Sequence, residues 1–414
     1  MAFDFKKRWA GLLIILALIG PGIITANVDN DAGGITTYSL AGGQFGYSLL
    51  WTMIPVLVLL IIVQEMCARL GVATGKGLAD LIRENFSIKM TFTIMGLLVL
   101  VNIANTVTEF AGIAAASEIF GLTRFIAVPI AALFVWLLVL KGNYKSVEKV
   151  FLAACLFYIA YIITGFITNQ EWDIVTKNTF IPHIIFNKTY FMLIIGIIGT
   201  TIAPWMQFYL QSSIVEKGVK KTEYKYSKID VIAGCFMAVI VAFFITITTA
   251  STIFKSGVAI TTAKDAALAL APLAGRFAEY LFAFGLLNAG LFAASILPLS
   301  TAYSVSEAFG WESGVNRKFK EAKKFYILYT AMIVLGAAFV LIPKFNLITL
   351  MYFSQVLNGI LLPFIIIFML KLINKKELMG EYRNGKIYNI IAYSLSAIII
   401  VITLIMLCMM IFVR

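Results

Sequence analysis

The sequence predicts an all-α polytopic membrane protein: two inverted five-helix repeats plus one extra helix, eleven transmembrane helices in all. Three observations predict it: an apolar composition, a regular alternation of basic loops, and an interrupted helix at the head of each half. The 414-residue chain is 61% hydrophobic and 13% charged, with a mean hydropathy of +0.94. Soluble domains hold roughly 45–50% apolar and 25% charged residues. No polar segment is long enough for a soluble catalytic domain, so an enzyme is not expected. The whole chain, 1–414, reads as one transmembrane transport domain.

Apolar stretches near the ~20 residues that a bilayer requires fall at 9–28, continuing as a half helix 35–44, then at 47–68, 89–117, 124–141 and 149–169. These form the first repeat, 9–169. The second repeat, 190–371, holds 190–215, 229–254, 275–305, 325–343 and 347–371, and 387–412 is the eleventh helix. A short segment at 260–273 reads as an external loop helix. The first apolar segment is full length and lacks a small-residue cleavage site, so it reads as a span and not as a cleaved signal.

The net charge of +12 could suggest nucleic acid, but its distribution describes topology instead. Lys6, Lys7 and Arg8 precede the first span. Alternate loops then carry Arg69, Lys76 and Arg83; Lys141, Lys145 and Lys149; Lys217, Lys220, Lys221, Lys225 and Lys228; Arg317, Lys318, Lys320, Lys323 and Lys324; and Lys371, Lys375, Lys376, Arg383 and Lys386. Basic loops stay cytoplasmic. The expected protein is therefore a multi-pass protein of a prokaryotic cell membrane, with a cytoplasmic N-terminus and an external C-terminus. Its partners are the lipid bilayer and a small ion; no nucleic acid is expected. Oligomeric state is left open, a monomer being sufficient. Cys67, Cys155, Cys235 and Cys408 sit in apolar runs without metal-ligand spacing.

The first span contains GPGIITANVDNDAGGITTYSLAGGQFGY, residues 20–47. Here an apolar helix breaks at Asp29, Asn30 and Asp31, followed by Ala32, Gly33 and Gly34, and helical sequence resumes at Ile35. A carboxylate at that depth costs several kcal/mol and normally faces a cavity, a partner or an ion. Unwound backbone is tolerated there only where it lines a site. Two acids, an amide and free carbonyls at one break read as a cation site; the alternative is an acidic loop between two ordinary helices. A second break opens the other half, in IIGIIGTTIAPWMQFYLQSS, residues 194–213, where Pro204 follows Gly199, Thr200 and Thr201. Proline removes a backbone donor and clashes with the preceding turn. Broken helices first in each set of five, running in opposite directions, are the pattern of a LeuT-type inverted repeat.

These residues resemble a known family. GPG, then Asp31-Ala32-Gly33-Gly34, then AGGQFGYSLLW ending at Trp51, is similar to the first helix and turn of the NRAMP divalent metal transporters. Asp31 matches the Asp of the family's Asp-Pro-Gly-Asn motif, Ala32 takes the Pro and Gly34 the Asn. QEMCARLGVATGKGLADLIRE, residues 64–84, resembles the end of the second helix, and Ser354-Gln355-Val356 with Pro363 and Phe364 resembles the tenth. The departures carry more information. Thr200 takes the place of an Ala and Ala203 that of the ion-binding Met. The only histidine is His183, in a loop. The acid pair of the third helix becomes Thr106 and Glu109, and the ninth helix lacks an internal Arg. This set resembles the NRAMP-related magnesium transporter branch.

The resemblance implies a metal site of Asp31, Asn30, Asp29, Gly34, Thr200, Ala203 and Gln355. Mg²⁺ prefers hard oxygen ligands and keeps several waters, and Mn²⁺ accepts the same donors. The expected function is alternating-access transport of Mg²⁺, and also Mn²⁺, without proton coupling. The metal is the transported substrate, and no cofactor is expected. Alternatives are a proton-coupled Mn²⁺/Fe²⁺ transporter, an amino-acid transporter of the same fold, and a cation channel. Glu65 and Arg69 read as an i, i+4 pair, Glu109 as either a path residue or a bundle pair, and Trp205 as packing where a family His would stand.

Overall fold

The computed structural model describes residues 21–140, 155–342 and 344–412. Its long helices are α1 (Pro21–Val28), α2 (Ala32–Phe45), α3 (Met53–Thr74), α4 (Leu78–Asn85), α5 (Ile88–Ile119), α6 (Arg124–Leu140), α7 (Ile159–Ile167) and α8 (Trp172–Phe180). The second half comprises α9 (Lys188–Thr201), α10 (Pro204–Glu216), α11 (Tyr224–Thr249), α12 (Ala278–Phe309), α13 (Lys323–Val340), α14 (Leu347–Ile373) and α15 (Lys386–Phe412). No strand occurs among the described residues.

Eight of the described helical stretches are long and apolar enough to cross a membrane, and Arg124–Leu140 and Leu156–Ile167 are shorter apolar helices. The broken pair α1–α2 supplies the remaining predicted span. The start of that span, residues 9–20, and the start of the fifth, residues 149–154, lie outside the described residues, as do Lys6, Lys7, Arg8, Lys141, Lys145 and Lys149. The segment predicted as a loop helix at 260–273 is two short helices, Ala263–Ala267 and Ala271–Ala274, joined by a 3-10 turn.

Both interrupted helices lie at the centre. α2 packs against α5, α9, α11 and α14, while α1 packs against α10 and α11. α5 and α12 pair along their lengths, with α13 on the other flank of α5. The extra helix α15 rests on α3, α9 and α14 and leaves most of its surface facing outward. Lipid tails are as apolar as leucine, so close backbone approach and van der Waals packing must join such helices. The α9–α14 crossing shows this: a Cβ on Gly199 would stand 2.0 Å from Gln355 O and 2.3 Å from Gly359 N. One on Gly359 would stand 2.4 Å from Ile195 O. Backbone cannot move aside as a flexible side chain can.

The breaks have local causes. Asp31 adopts extended backbone (φ −69°, ψ −175°) and its side chain accepts from Gly34 N at 2.6 Å, the geometry of a helix N-cap. The helix therefore resumes at Ala32, three residues earlier than Ile35, because Asp31 satisfies the new helix's first turn and Gly33 and Gly34 are inside it. At the second break Ala203 is extended (φ −61°, ψ 136°) before Pro204, which occupies the first helical position of α10.

Gly199→Val is expected to prevent correct helix packing, since overpacking costs about 1–3 kcal/mol even where side chains can yield. Size-exclusion profiles and melting temperature in detergent should show aggregation or a lowered transition. Gly96→Ala, at a position with nothing within 4 Å, should be close to neutral.

Candidate metal-ion site at the paired helix breaks

Asp29, Asn30 and Asp31 are 2%, 2% and 5% exposed, far below what a loop in water shows. The expectation of free carbonyls at the break is corrected: Asn30 O accepts from Tyr158 OH at 2.5 Å, and Asp31 O accepts from Ile35 N at 2.9 Å. The available oxygens are on side chains instead. Both carboxylate oxygens of Asp29, Asn30 Oδ1, Thr200 Oγ1 and Glu109 Oε1 are buried without a hydrogen-bond partner. Buried polar atoms are nearly always paired, so five orphans around one break require an explanation.

The structure brings most of the expected residues together. A Cβ on Gly34 would lie 2.7 Å from Asp29 O and 3.2 Å from Thr200 Oγ1. Gly34 thus acts through its missing side chain, letting the two broken helices approach, and it donates its N–H to Asp31. Gln355 of α14 lies against Gly33, two residues past Asp31; a Cβ there would be 1.9 Å from Gln355 Nε2. Ala203 sits at the second break, 2% exposed. Ala203 O accepts from Met206 N at 3.0 Å, and the Gln207 amide, turned so that its nitrogen faces the carbonyls, donates to Ala203 O at 2.7 Å and to Pro204 O at 2.6 Å. Ala203 can face an ion only with its methyl group.

Glu109, which the sequence left open, belongs here. Its Oε2 accepts at 3.3 Å from the N–H of Ala32, the residue next to Asp31 in sequence, which sets the carboxyl beside the break. Sequence reasoning missed Tyr158, which holds the break, and Tyr38, whose hydroxyl is 2.7 Å from Thr201 Oγ1. Neither stands out among 17 tyrosines. Asp230 was also missed: it accepts from Gly22 N at 2.7 Å and Ile23 N at 3.3 Å, capping α1 from α11. The spacing of helix-end donors from a distant acid leaves no sequence signal.

Other flagged residues settle plainly. Glu65 and Arg69 form the expected pair at 3.1 Å, but within a larger cluster. Glu65 also accepts from Tyr224 OH and from Tyr388 OH (2.7 Å), and Arg69 donates to Tyr382 O (3.2 Å) and to Asn384. Trp205 is 1% exposed and packs beside Tyr209, while its carbonyl accepts from Ser300 Oγ at 3.0 Å. Met206 lies apart, in a small space shared with Gly22, Gln64 and Cys235. Thr106 turns its hydroxyl to Asn102 O at 2.8 Å and its methyl toward Gly336. Among the described residues no group of three or more His, Cys, Asp or Glu is placed to hold a metal. Any cation here would rely on Asp29, Asp31 and Glu109 singly or in pairs, with amide and hydroxyl oxygens and water.

The family model for natural resistance-associated macrophage protein-like (Nramp) proteins matches residues 22–409. The chain belongs to the Nramp family. It is similar to a divalent metal cation transporter, MntH, of Bacillus subtilis, at 28% identity over 96% of this chain and 93% of that protein. The corresponding protein of Yersinia enterocolitica is 27% identical over 94% and 93%. Among solved structures, a manganese transporter of Eremococcus coleocola superposes with a TM-score of 0.77 at 24% identity, over 95% of this chain and 86% of that one. Mhp1, a nucleobase-cation-symport-1 family transporter, gives 0.56 at 15% identity, over 94% and 89%. These likenesses establish the LeuT-type fold of this Nramp protein, and with it the multi-pass membrane architecture predicted above.

In an Nramp chain with this geometry, Asp31→Asn should abolish or strongly weaken uptake of Mg²⁺ and Mn²⁺ while preserving the fold. An Asn side chain keeps the cap to Gly34 N, so size-exclusion behaviour should be unchanged. Near-normal uptake by the well-folded variant would overturn the site assignment.

Proposed function

We propose that this protein transports divalent metal ions, Mg²⁺ foremost and Mn²⁺ also, by alternating access at the two helix breaks. The observation that carries the reading is the set of orphaned oxygens on Asp29, Asn30, Thr200 and Glu109 around the Asp31 cap. A hard cation supplies the partner that each lacks, and an all-oxygen set suits Mg²⁺ and Mn²⁺. The divalent-metal names of the relatives support the same reading.

The preference for Mg²⁺ rests on what the site lacks. Ala203 stands in the place of the family's thioether. Met206 is elsewhere, and Met351, one turn before Gln355, has its sulfur 3.6 Å from Thr36 Oγ1. A methyl at Ala203 takes up less of the site than a thioether would, which suits an ion that retains water. The first and sixth spans, the two broken helices, would rock against the remaining scaffold, with basic loops on the cytoplasmic side. The negative-inside potential then favours cation entry by about 2.3 kcal/mol per charge per 100 mV.

Uptake is proposed to proceed without proton coupling. Next to Glu109 along α5, toward the basic-loop end, stand Thr106, Asn105 and Asn102, all neutral and all buried. None can pass a net proton onward. One observation favours the second reading, proton-coupled Mn²⁺ transport: Glu109, a buried acid, meets the break at Ala32 N, and an acid there can hold a proton that an arriving cation displaces.

Internal pH of proteoliposomes during Mg²⁺ or Mn²⁺ uptake, with a proton-coupled relative as control, separates the two. No metal-dependent acidification is expected. Acidification that tracks the uptake rate and disappears in Glu109→Gln would establish the second reading instead. For selectivity, Ala203→Met should lower Mg²⁺ transport and raise competition by Cd²⁺, because it adds a soft ligand and shrinks the space. If Mg²⁺ uptake and Cd²⁺ competition both stay as in the wild type, Ala203 does not face the ion.

A further inference from the structure

The side chain of Gln355 is held at both ends of its amide. Nε2 donates to Ser354 Oγ at 3.2 Å, and Oε1 accepts from Asn358 Nδ2 at 2.8 Å. Asn358 exchanges two reciprocal hydrogen bonds with Asn105 across the α5–α14 interface, each 2.9 Å. Ser354 Oγ is in turn 2.6 Å from Thr108 Oγ1. Gln355, Asn358 and Asn105 are each 1% exposed, so these bonds have no water to replace them.

The arrangement presents a definite edge of the amide to the break. Gln355 Nε2, not Oε1, is the amide's polar atom nearest Gly33. That edge is a donor, the wrong polarity for a cation. A half-turn of the terminal amide exchanges its oxygen and nitrogen. Performed alone, the turn sets Gln355 Nε2 against Asn358 Nδ2, two donors facing each other in a dry interface. If Asn358 and Asn105 turn over with it, every bond among the three amides is remade with donor and acceptor exchanged. The Ser354 hydroxyl, which donates to Met351 O at 3.1 Å, then turns to donate to the relocated Oε1. The three amides therefore have two complementary settings that differ by the Ser354–Met351 bond, which the setting with the carbonyl turned inward gives up.

We propose that Gln355, Asn358 and Asn105 form an amide relay, whose setting decides whether Gln355 offers its carbonyl oxygen or its NH₂ group to the cation at the break. Asn358 and Asn105 are then positioning residues, acting on the ion through Gln355. The inference rests on the cation-site reading above. A cation stabilises only the setting with the carbonyl turned inward, and it shifts the equilibrium by its differential affinity for the two. In that setting Asn358 Oδ1 accepts from Gln355 Nε2, so loss of Asn358 weakens ion binding without removing any ligand.

The test is the KM and maximal rate of Mn²⁺ and Mg²⁺ uptake in proteoliposomes. Asn358→Leu should raise KM about tenfold, the size that loss of one or two hydrogen bonds permits, with the maximal rate changed less than about twofold. Asn105→Leu/Asn358→Leu, which leaves no amide stranded in the interface, should show the same KM shift. It also serves as the reading variant if Asn358→Leu alone does not fold. Asn358→Thr, which can still donate and accept, should recover part of the loss. On a Gln355→Leu background, Asn358→Leu should add nothing, since residues acting through one another are not additive. A wild-type KM in the Asn358 variants, or a full additional shift on the Gln355→Leu background, overturns the relay. Asp31→Asn is measured alongside: uptake by that variant would overturn the cation site itself, whatever the Asn358 variants do.

Discussion

The structure depends on one bond, from Gly34 N to the carboxylate of Asp31. A charge at the bilayer centre costs about 2.5–3.5 kcal/mol, and a helix restarted there has unpaired N–H groups. The cap answers both at once: it holds the carboxylate by a backbone donor and gives α2 a stable beginning in the middle of the membrane. With Asp31 committed this way, its neighbours cannot be capped in turn. Asp29 and Asn30 remain in the turn with free side-chain oxygens, and the second broken helix brings Thr200 to the same place. The functional geometry is thus a consequence of how one helix end is satisfied.

The rest of the bundle keeps that end from relaxing. Tyr158 fixes the turn through Asn30 O, Asp230 caps the far end of α1, and Glu109, from α5, accepts from Ala32 N. Each comes from a different helix, so the break is braced from several sides. The glycine contact between α9 and α14 ties the second broken helix to the helix whose Gln355 lies against Gly33 at the first break. Small residues and buried hydroxyls and amides hold the helices together, as expected where apolar surface gains little by leaving lipid.

Composition, the alternation of basic loops and two helix-breaking motifs were sufficient to predict a LeuT-type helical membrane protein. Each is a local property of the chain: membrane length is counted in residues, and aspartate, glycine pairs and proline disrupt a helix wherever they occur. The same locality made Asp31, Asp29 and Asn30 legible as candidate site residues, and an acid at mid-span is expensive in every fold. The tertiary structure decided which oxygens are free. It assigned the carbonyls of Asn30 and Asp31 to Tyr158 and Ile35, moved the restart of the helix to Ala32, and placed Glu109 beside Asp31. It also joined Gln355 and Asn358, three residues apart on α14, to Asn105 on α5, 253 residues from Asn358. Hydrogen-bond partners more than two hundred residues apart are fixed only when helices pack, and so the sequence determined where the site lies while packing determined what it can hold.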